Sequence, residues 1–175
     1  MNNKKNIFVI IGSASSNSAN LKLVEKIASL AESEFNLTIF NDLKTLPHFD
    51  PKLSEENPPR MILEFRNAIE NADGIIVCTP EYVFSIPSGL KNAFEWCIST
   101  TIFTNKPSGL ITASASGEKG HEELQLIMKT MMAKFTNETT LLIQGIKGKF
   151  DGQGNLTDLE TQRLNSFISA FLNLI

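Results

Sequence analysis

The feature that most restricts the fold of this chain is a regular alternation of short apolar runs with amphipathic segments. The runs have the length and β-branched composition of buried strands, and they cover residues 7–11, 37–40, 74–78, 109–113 and 140–144. Between them, apolar residues at helical spacing predict helices over residues 19–34, 58–71, 88–98, 122–135 and from 157 onward. Strands that alternate with helices form a parallel sheet with helices on both faces. The sequence therefore predicts a doubly wound α/β fold with five strands.

The rest of the sequence indicates a single domain. Residues 41–59 are rich in turn formers and show no period, so we predict a loop there. The chain has 175 residues, of which 42% are hydrophobic. That is enough for one well-filled core and too little for two comfortable domains. Because no internal repeat or linker is evident, we expect residues 1–175 to form one domain.

Charge and apolar run lengths argue against nucleic-acid and membrane partners. The formal net charge is −3 and the sequence pI is about 5.4, so no general attraction to anionic polymers or lipids is expected. The run at residues 7–11 is shorter than the roughly 7–15 apolar residues of a signal peptide, and no stretch approaches the roughly 20 that span a bilayer. Cys78 and Cys97 show no CxxC or zinc spacing. We expect buried thiols, no metal site and a cytoplasmic location.

Three loops that leave predicted strands carry unusual residues. In an open α/β sheet, ligands bind beyond the carboxyl ends of the strands, which here are followed by residues 12–20, 79–88 and 114–121. The first loop offers hydroxyl and amide side chains ahead of a helix N-terminus: Ser13, Ser15, Ser16, Asn17, Ser18 and Asn20. Free N–H groups and the helix dipole make such a turn an anion site. An ordinary polar loop with Ser18 or Asn20 as helix cap remains the alternative.

The other two loops favour a flat ligand. Residues 79–88 contain two prolines, which stiffen the chain, and the aromatic residues Tyr82 and Phe84, which offer a face or an edge to a ring. Residues 114–121 are mostly small and permit close approach to the backbone. Core-filling aromatics and a helix-capping Ser116 or Glu118 are the alternatives. Neither GxGxxG nor GxxxxGK[ST] is present, which disfavours a dinucleotide clamp and a Mg-nucleotide P-loop.

With these residues the chain resembles the NADPH-dependent FMN reductase family, which includes azobenzene, quinone and chromate reductases. The resemblance is carried by Gly12-Ser13 with Ser18 and Asn20, by residues 79–82, 85–87 and 90–93, and by Trp96, with weaker echoes at 42–43, 46–47 and 150–158. It implies a flavodoxin-like sheet in the order 2-1-3-4-5, FMN as cofactor, and NADPH or NADH as electron donor. It further implies a small-molecule electron acceptor and a homodimer or homotetramer.

The resemblance also assigns roles to residues of this chain. It places the FMN phosphate on Ser13, Ser18 and Asn20, and we expect Ser15 and Ala19 in the same segment to contact the cofactor as well. It places the isoalloxazine beside Pro80, Glu81, Tyr82, Val83 and Ser85, with its other edge closed by Ser114, Ser116 and Gly117. Lys91, Asn92 and Trp96 are implied to anchor the following helix, which often faces a partner subunit.

Two positions depart from the pattern of this family. Ser15 and Val83 stand where such enzymes usually carry Arg and Asn. A charge-assisted hydrogen bond contributes about 1.5–3 kcal/mol, so losing the guanidinium weakens FMN binding about tenfold to a hundredfold unless it is compensated. Hydroxyls of Ser15 and Ser16 compensate in part under our hypothesis that FMN still binds, but more loosely.

The expected activity is hydride transfer from NAD(P)H through FMN to a quinone, azo compound, metal oxyanion or free flavin, with ping-pong kinetics and no side-chain general base. A flavodoxin-type electron carrier and a non-catalytic binding module with a degraded FMN site are the alternatives. His48 and His121 belong to no Ser-His-Asp arrangement. We interpret both as surface or structural residues, the pairs 55–56 and 122–123 as solvated acids, and the methionines at 128, 131 and 132 as core.

Overall fold

The computed structural model describes residues 4–15 and 17–175, and its centre is one five-stranded parallel sheet. The strands are β1 (Lys5–Ile11), β2 (Phe35–Phe40), β3 (Gly74–Thr79), β4 (Ser108–Ser114) and β5 (Thr140–Gln144). Their spatial order is β2-β1-β3-β4-β5, with every neighbouring pair parallel. The predicted flavodoxin-like order is therefore confirmed, and the order reverses between β1 and β3.

Burial along each strand explains its sequence. All residues of β3 and β4 are buried, because helices cover both faces of these central strands. The edge strands β2 and β5 contain exposed and half-buried positions as well. Side chains of successive strand residues enter two separate apolar clusters, one on each face of the sheet.

In the described part of the chain, six α-helices surround the sheet: α1 (Ala19–Leu30), α2 (Pro51–Glu56), α3 (Arg60–Asn71), α4 (Ser88–Glu95), α5 (Glu118–Thr130) and α6 (Asp158–Leu174). The apolar stripes of α1 and α6 pack on one face of the sheet. Those of α3, α4 and α5 pack on the other. No described helix is long and apolar enough to cross a bilayer.

The prediction of an uninterrupted loop over residues 41–59 was wrong. A 3-10 turn covers Leu43–Thr45, and α2 follows at Pro51. The carboxylate of Asp50 caps α2 by accepting hydrogen bonds from the N–H groups of Lys52 (2.9 Å) and Leu53 (3.1 Å). Because this helix has only six residues, its signal is a cap followed by proline rather than an apolar period.

The predicted helix over residues 122–135 was wrong at both ends, since α5 begins at Glu118 and ends at Thr130. The apolar pattern continues past a helix end that resembles a Schellman motif. Met132 has φ 59°, its N–H donates to the Lys129 carbonyl (3.0 Å), and the Ala133 N–H donates to the Met128 carbonyl (3.0 Å). A methionine occupies the position that usually holds a glycine, so the sequence contains no glycine signal for the end of α5.

Polar contacts hold α4 against the chain that precedes it. The Asn92 side chain accepts a hydrogen bond from the Phe49 N–H (2.8 Å) and donates one to the Pro47 carbonyl (2.9 Å). Trp96 Nε1 donates to the same carbonyl at 2.8 Å. These contacts fix the middle and the C-terminal end of α4 against residues 47–49.

The two cysteines are buried and form no disulfide. Burial raises the pKa of the Cys97 thiol to about 12, and it raises the pKa of Cys78 further. Both thiols therefore stay protonated at neutral pH, and the predicted burial is confirmed.

Candidate functional site

A cavity of about 710 Å³, which we call the main cavity, lies beyond the carboxyl ends of β1, β3 and β4. It is lined by Ser13, Ser15, Asn17, Ser18, Ala19 and Asn20 from the first loop and α1, by Pro80, Glu81 and Tyr82 after β3, by Ala113, Ser114 and Ala115 at the end of β4, and by Gly145, Ile146, Lys147 and Gly148 after β5. Its volume lies within the roughly 300–1,000 Å³ typical of small-molecule and cofactor sites. Ser16, to which the sequence assigned a supporting hydroxyl, lies outside the described residues.

The first wall of the main cavity is the N-terminus of α1. Ser18 caps this helix, because its Oγ accepts a hydrogen bond from the Leu21 N–H at 3.1 Å. Ser13 Oγ accepts one from the Ser15 N–H at 3.2 Å. Both serine hydroxyls keep a hydrogen to donate, and the first N–H groups of a helix have no partner within it. The wall therefore presents several uncharged donors and the positive end of the helix dipole.

Asn20 attaches α1 to the sheet. Its Nδ2 donates to the Ala113 carbonyl at 3.2 Å, and its Oδ1 accepts from the Cys78 thiol at 3.4 Å. The residue is 3% exposed and lines the main cavity. Its amide is thus engaged with the ends of β3 and β4, where it sets the height of α1 above the sheet.

The second wall contains a tight turn after β3. The Tyr82 N–H donates to the Ser85 carbonyl (2.9 Å) and the Ser85 N–H to the Tyr82 carbonyl (3.0 Å). Val83 and Phe84 between them have φ values of 52° and 59°, as in a type I′ turn. Val83 and Phe84 are 94% and 76% exposed, so their side chains point away from the cavity wall. Tyr82 stays on the wall, where its hydroxyl oxygen lies 3.4 Å from Ser13 Oγ.

Two carboxylates hold this loop against α5. Glu81 accepts hydrogen bonds from the N–H groups of Gly117 (3.2 Å) and Gly120 (2.8 Å) at the start of the helix, where the dipole favours negative charge. Glu123 accepts from Ser85 Oγ (2.6 Å) and from the Ile86 N–H (2.9 Å). The interpretation of Glu123 as a solvated acid was therefore wrong, because its carboxylate fixes the loop.

Several residues that the sequence assigned to the site do not line the main cavity: Val83, Ser85, Ser116 and Gly117. Ser116 is exposed, and Gly117 has φ 92° with its N–H donated to Glu81. Conversely, residues 145–148 line the main cavity although they were not expected there from the sequence. They follow β5 at the same edge of the sheet as the other three loops, and that placement was the available signal.

The two histidines take different positions, neither of them on the main cavity. His48 is exposed, whereas His121 is half-buried on α5 with its Nδ1 2.9 Å from Thr112 Oγ1. Burial lowers the pKa of His121 below its ordinary value, so this side chain is neutral at pH 7. It links α5 to β4, which agrees with a structural role.

The strained turn leads to a stability prediction. A β-branched residue at positive φ is an outlier, and left-handed backbone costs an L-residue about 1–2 kcal/mol. Changing Val83-Phe84 to Asn-Gly should therefore raise the free energy of unfolding by about 1 kcal/mol or more, measured by urea denaturation. Val83→Ala removes apolar surface but keeps the positive φ, so it serves as the control with a smaller gain. A less stable Asn-Gly variant would contradict the prediction.

The position of Glu81 leads to another. Glu81→Ala should lower the free energy of unfolding by about 2 kcal/mol, because the N–H groups of Gly117 and Gly120 lose a charged acceptor at a helix N-terminus. Glu81→Gln keeps an acceptor and should cost about half as much. Glu122→Ala is the control on α5. Among the described residues, the exposed carboxylate of Glu122 pairs with Lys119 alone, so its loss should change stability little. Equal effects of all three changes in chemical denaturation would refute this role.

A protein-family model described as NADPH-dependent FMN reductase matches residues 5–146. The chain belongs to this family. It is accordingly an oxidoreductase that uses FMN together with a reduced nicotinamide as electron donor.

Similar proteins cover nearly the whole chain. A 2-hydroxy-1,4-benzoquinone reductase of a Burkholderia species is 29% identical over 94% of this chain and 93% of its own length. A quinone reductase of Escherichia coli is 26% identical over 98% and 95%, respectively. In structure, the chain is similar to FerB, a flavoenzyme NAD(P)H:(acceptor) oxidoreductase from Paracoccus denitrificans, with a TM-score of 0.84, 25% identity, and coverage of 97% of this chain and 96% of that one.

The main cavity fits the cofactor of this family. A phosphate needs hydrogen-bond donors, and the first turn of α1 with Ser13 and Ser18 supplies them. A flat ring system needs a fixed apolar wall, and Pro80 and Tyr82 supply one that Glu81 holds in place.

Proposed function

We propose that the main cavity holds FMN with its phosphate at the N-terminus of α1 and its isoalloxazine against the loop after β3. In this arrangement Ser13, Ser15, Ser18 and Ala19 surround the phosphate, and Asn20 positions the N-terminus of α1 beside them. Pro80, Glu81, Tyr82 and Ser114 border the ring. The observation that carries the proposal is that one cavity joins a helix N-terminus rich in hydroxyls to a stiff, aromatic wall.

The residues that the main cavity does not include have supporting roles in this proposal. Ser85 holds the loop after β3 against α5 through its hydrogen bond to Glu123, and Gly117 does the same through its hydrogen bond to Glu81. Val83 belongs to the turn that places Tyr82, and Ser116 lies in the loop that closes the far edge of the ring. Bound FMN supplies the hydride chemistry, and the protein supplies position and electrostatics.

No acid–base residue is required of the chain. The titratable side chains among the described residues that line the main cavity are Glu81, Tyr82 and Lys147. Both carboxylate oxygens of Glu81 already accept backbone hydrogen bonds. The side chains of this site therefore bind and orient the reactants.

The acceptor that we propose is a quinone. Two of the relatives above are named quinone reductases, and a third relative, from Lactobacillus johnsonii, is named an NADH-dependent flavin reductase subunit at 29% identity over 97% of this chain and 95% of its own length. Tyr82 is 42% exposed beside the ring position, which leaves an aromatic surface for a second flat molecule. Free flavin, azo compounds and metal oxyanions are the competing acceptors.

One preparation tests this function. The purified protein is titrated with FMN, and the flavin absorption band is recorded before and after anaerobic addition of NADPH or NADH. Bleaching followed by reoxidation with a benzoquinone, faster than with an azo dye, chromate or free FMN, is the expected result. Bound flavin that neither nicotinamide reduces would favour an electron carrier, and absence of flavin binding would favour a non-catalytic module.

We also propose that the enzyme is a cytoplasmic homodimer or homotetramer. The surface between α4 and α5 supports association, because Ile98 and Leu126 there are 67% and 66% exposed. Light scattering of the purified protein should give a mass of two or four chains. A monomer at all concentrations would contradict the proposal without affecting the FMN site.

A further inference from the structure

We propose that Lys147, in the loop after β5, supplies the cation for the FMN phosphate that this family usually takes from an arginine at position 15. The proposal rests on the FMN site described above and adds a residue to it. Lys147 lines the main cavity, and it is the only Lys or Arg among the described residues that do so. Among the described residues that line this cavity, Lys147 is therefore the one cationic side chain available to pair with a phosphate, which carries nearly two negative charges.

The fold brings the loop of Lys147 and the start of α1 to the end of the same strand. Asn20 of α1 is bonded to the carbonyl of Ala113, the penultimate residue of β4. Two residues farther along, the carbonyl of Ala115 accepts a hydrogen bond from the Gly145 N–H at 3.1 Å. Ile146 then packs into the apolar cluster that contains the inner face of α1. Lys147 consequently follows a residue that is fixed beside the proposed phosphate site.

The described charged residues near Lys147 pair with one another and hold its loop in place, and none of them pairs with Lys147. The buried carboxylate of Glu160 lies 3.5 Å from Lys149 Nζ and 2.8 Å from Arg163 Nη1. Arg163 also donates to the Leu142 carbonyl at 2.7 Å. Within residues 4–15 and 17–175, no carboxylate lies within 4.0 Å of the Lys147 ammonium. Lys149 thus anchors the loop through Glu160, and Lys147 remains available at the main cavity.

Lys147 is exposed, so its ammonium can approach a bound phosphate without displacing a packed side chain. Gly145, two residues before it, and Gly148, directly after it, have open space at the position of a Cβ apart from their chain neighbours. Lysine binds phosphate as a flexible point charge with three N–H donors, so it does not need the fixed fork geometry of an arginine. A lysine on a different loop is therefore a chemically sufficient replacement for the guanidinium that Ser15 lacks.

The test compares FMN with riboflavin, which carries the same ring without the phosphate, by quenching of flavin fluorescence. We expect the unmodified protein to bind FMN more than about tenfold tighter than riboflavin. Lys147→Gln should weaken FMN binding about 10- to 100-fold and leave riboflavin binding unchanged. Adding Ser15→Arg to Lys147→Gln should restore FMN affinity. Lys129→Gln, at an exposed lysine on α5 outside the main cavity, should change neither affinity.

The outcomes separate this inference from the function on which it rests. If the unmodified protein binds neither flavin, the FMN site and the role of Lys147 both fail. If it binds FMN and Lys147→Gln leaves that affinity unchanged, or weakens FMN and riboflavin equally, the site stands and the role of Lys147 is overturned. Failure of Ser15→Arg to rescue Lys147→Gln would likewise refute a shared phosphate charge.

Discussion

Arg66→Met is expected to lower the free energy of unfolding by about 3 kcal/mol or more, measured by guanidinium denaturation. Arg66 is 8% exposed on α3, and its guanidinium donates to the carbonyl of Trp96 at the end of α4 and to both the carbonyl (3.2 Å) and the hydroxyl (2.8 Å) of Ser54 in α2. A methionine fills similar volume but donates nothing. The Ser54 carbonyl still accepts from Ser99 Oγ (3.1 Å), but the Trp96 carbonyl loses its guanidinium donor. A buried carbonyl that loses its donor costs about 1–3 kcal/mol and a hydrogen bond from a charged group contributes about 1.5–3 kcal/mol, which together give the expected size.

Two further variants make this prediction sharper. Arg66→Lys keeps the charge but offers three donors from one nitrogen. Its free energy of unfolding should therefore lie between those of Arg66→Met and the unmodified protein. Arg60→Met is the matched control, because Arg60 lies on the same helix with its side chain 92% exposed and, within residues 4–15 and 17–175, pairs with Glu64 alone. Its replacement should change stability little. An equal loss at positions 60 and 66 would show that helix propensity, rather than the buried contacts, accounts for the effect.

Gly12→Ala is expected to lower the free energy of unfolding by about 3 kcal/mol, in the upper range for overpacking a core. A Cβ at position 12 would lie 2.2 Å from Thr79 Oγ1, 2.6 Å from Thr79 Cβ and 3.0 Å from Leu90 Cδ2. These atoms belong to β3 and α4, which cannot move apart without disturbing the sheet. The Gly12 N–H also donates to the Cys78 carbonyl at 2.8 Å, which holds the backbone in place.

The control for this substitution is Gly152→Ala. Apart from its chain neighbours, Gly152 has no heavy atom of the described residues within 4 Å of its Cβ position, and its φ is not positive, so alanine fits there without strain. Thermal and urea unfolding of the two variants should therefore differ clearly. Because the loop of Ser13 begins directly after Gly12, the Gly12 variant should also bind FMN more weakly under conditions in which it is folded. Equal stability of the two variants would show that the sheet adjusts to the added methyl group.

The strands of this protein were predictable because their signal is local. Runs such as residues 74–78 are apolar throughout, and a short β-branched run of that length is typical of a strand buried on both faces. The short helix α2 and the end of α5 at Thr130 were not predictable from periodicity. Six residues are too few for a period, and Met131 and Met132 continue an apolar stripe after the helix has ended.

The candidate site likewise has features that were predictable from the sequence and features that were not. The serines before α1 were visible in the sequence, because a helix N-terminus preceded by hydroxyls is a local pattern. The contacts between Glu81 and Gly120, between Ser85 and Glu123, and between Gly145 and Ala115 join residues that are distant in sequence. Nothing in the local pattern around Glu123 distinguishes it from the exposed Glu122, with which it was grouped as a solvated acid.

The sequence by itself determined the strands, the positions of the longer helices and the end of the sheet that carries polar loops, since these follow from patterns among neighbouring residues. Only the tertiary structure decided which side chains meet at that end. It brought the loop of Lys147 to the main cavity and turned the Val83-Phe84 tip outward. The physical reason is that hydrogen bonds and ion pairs act over a few ångströms, and their partners become neighbours only when the sheet has assembled.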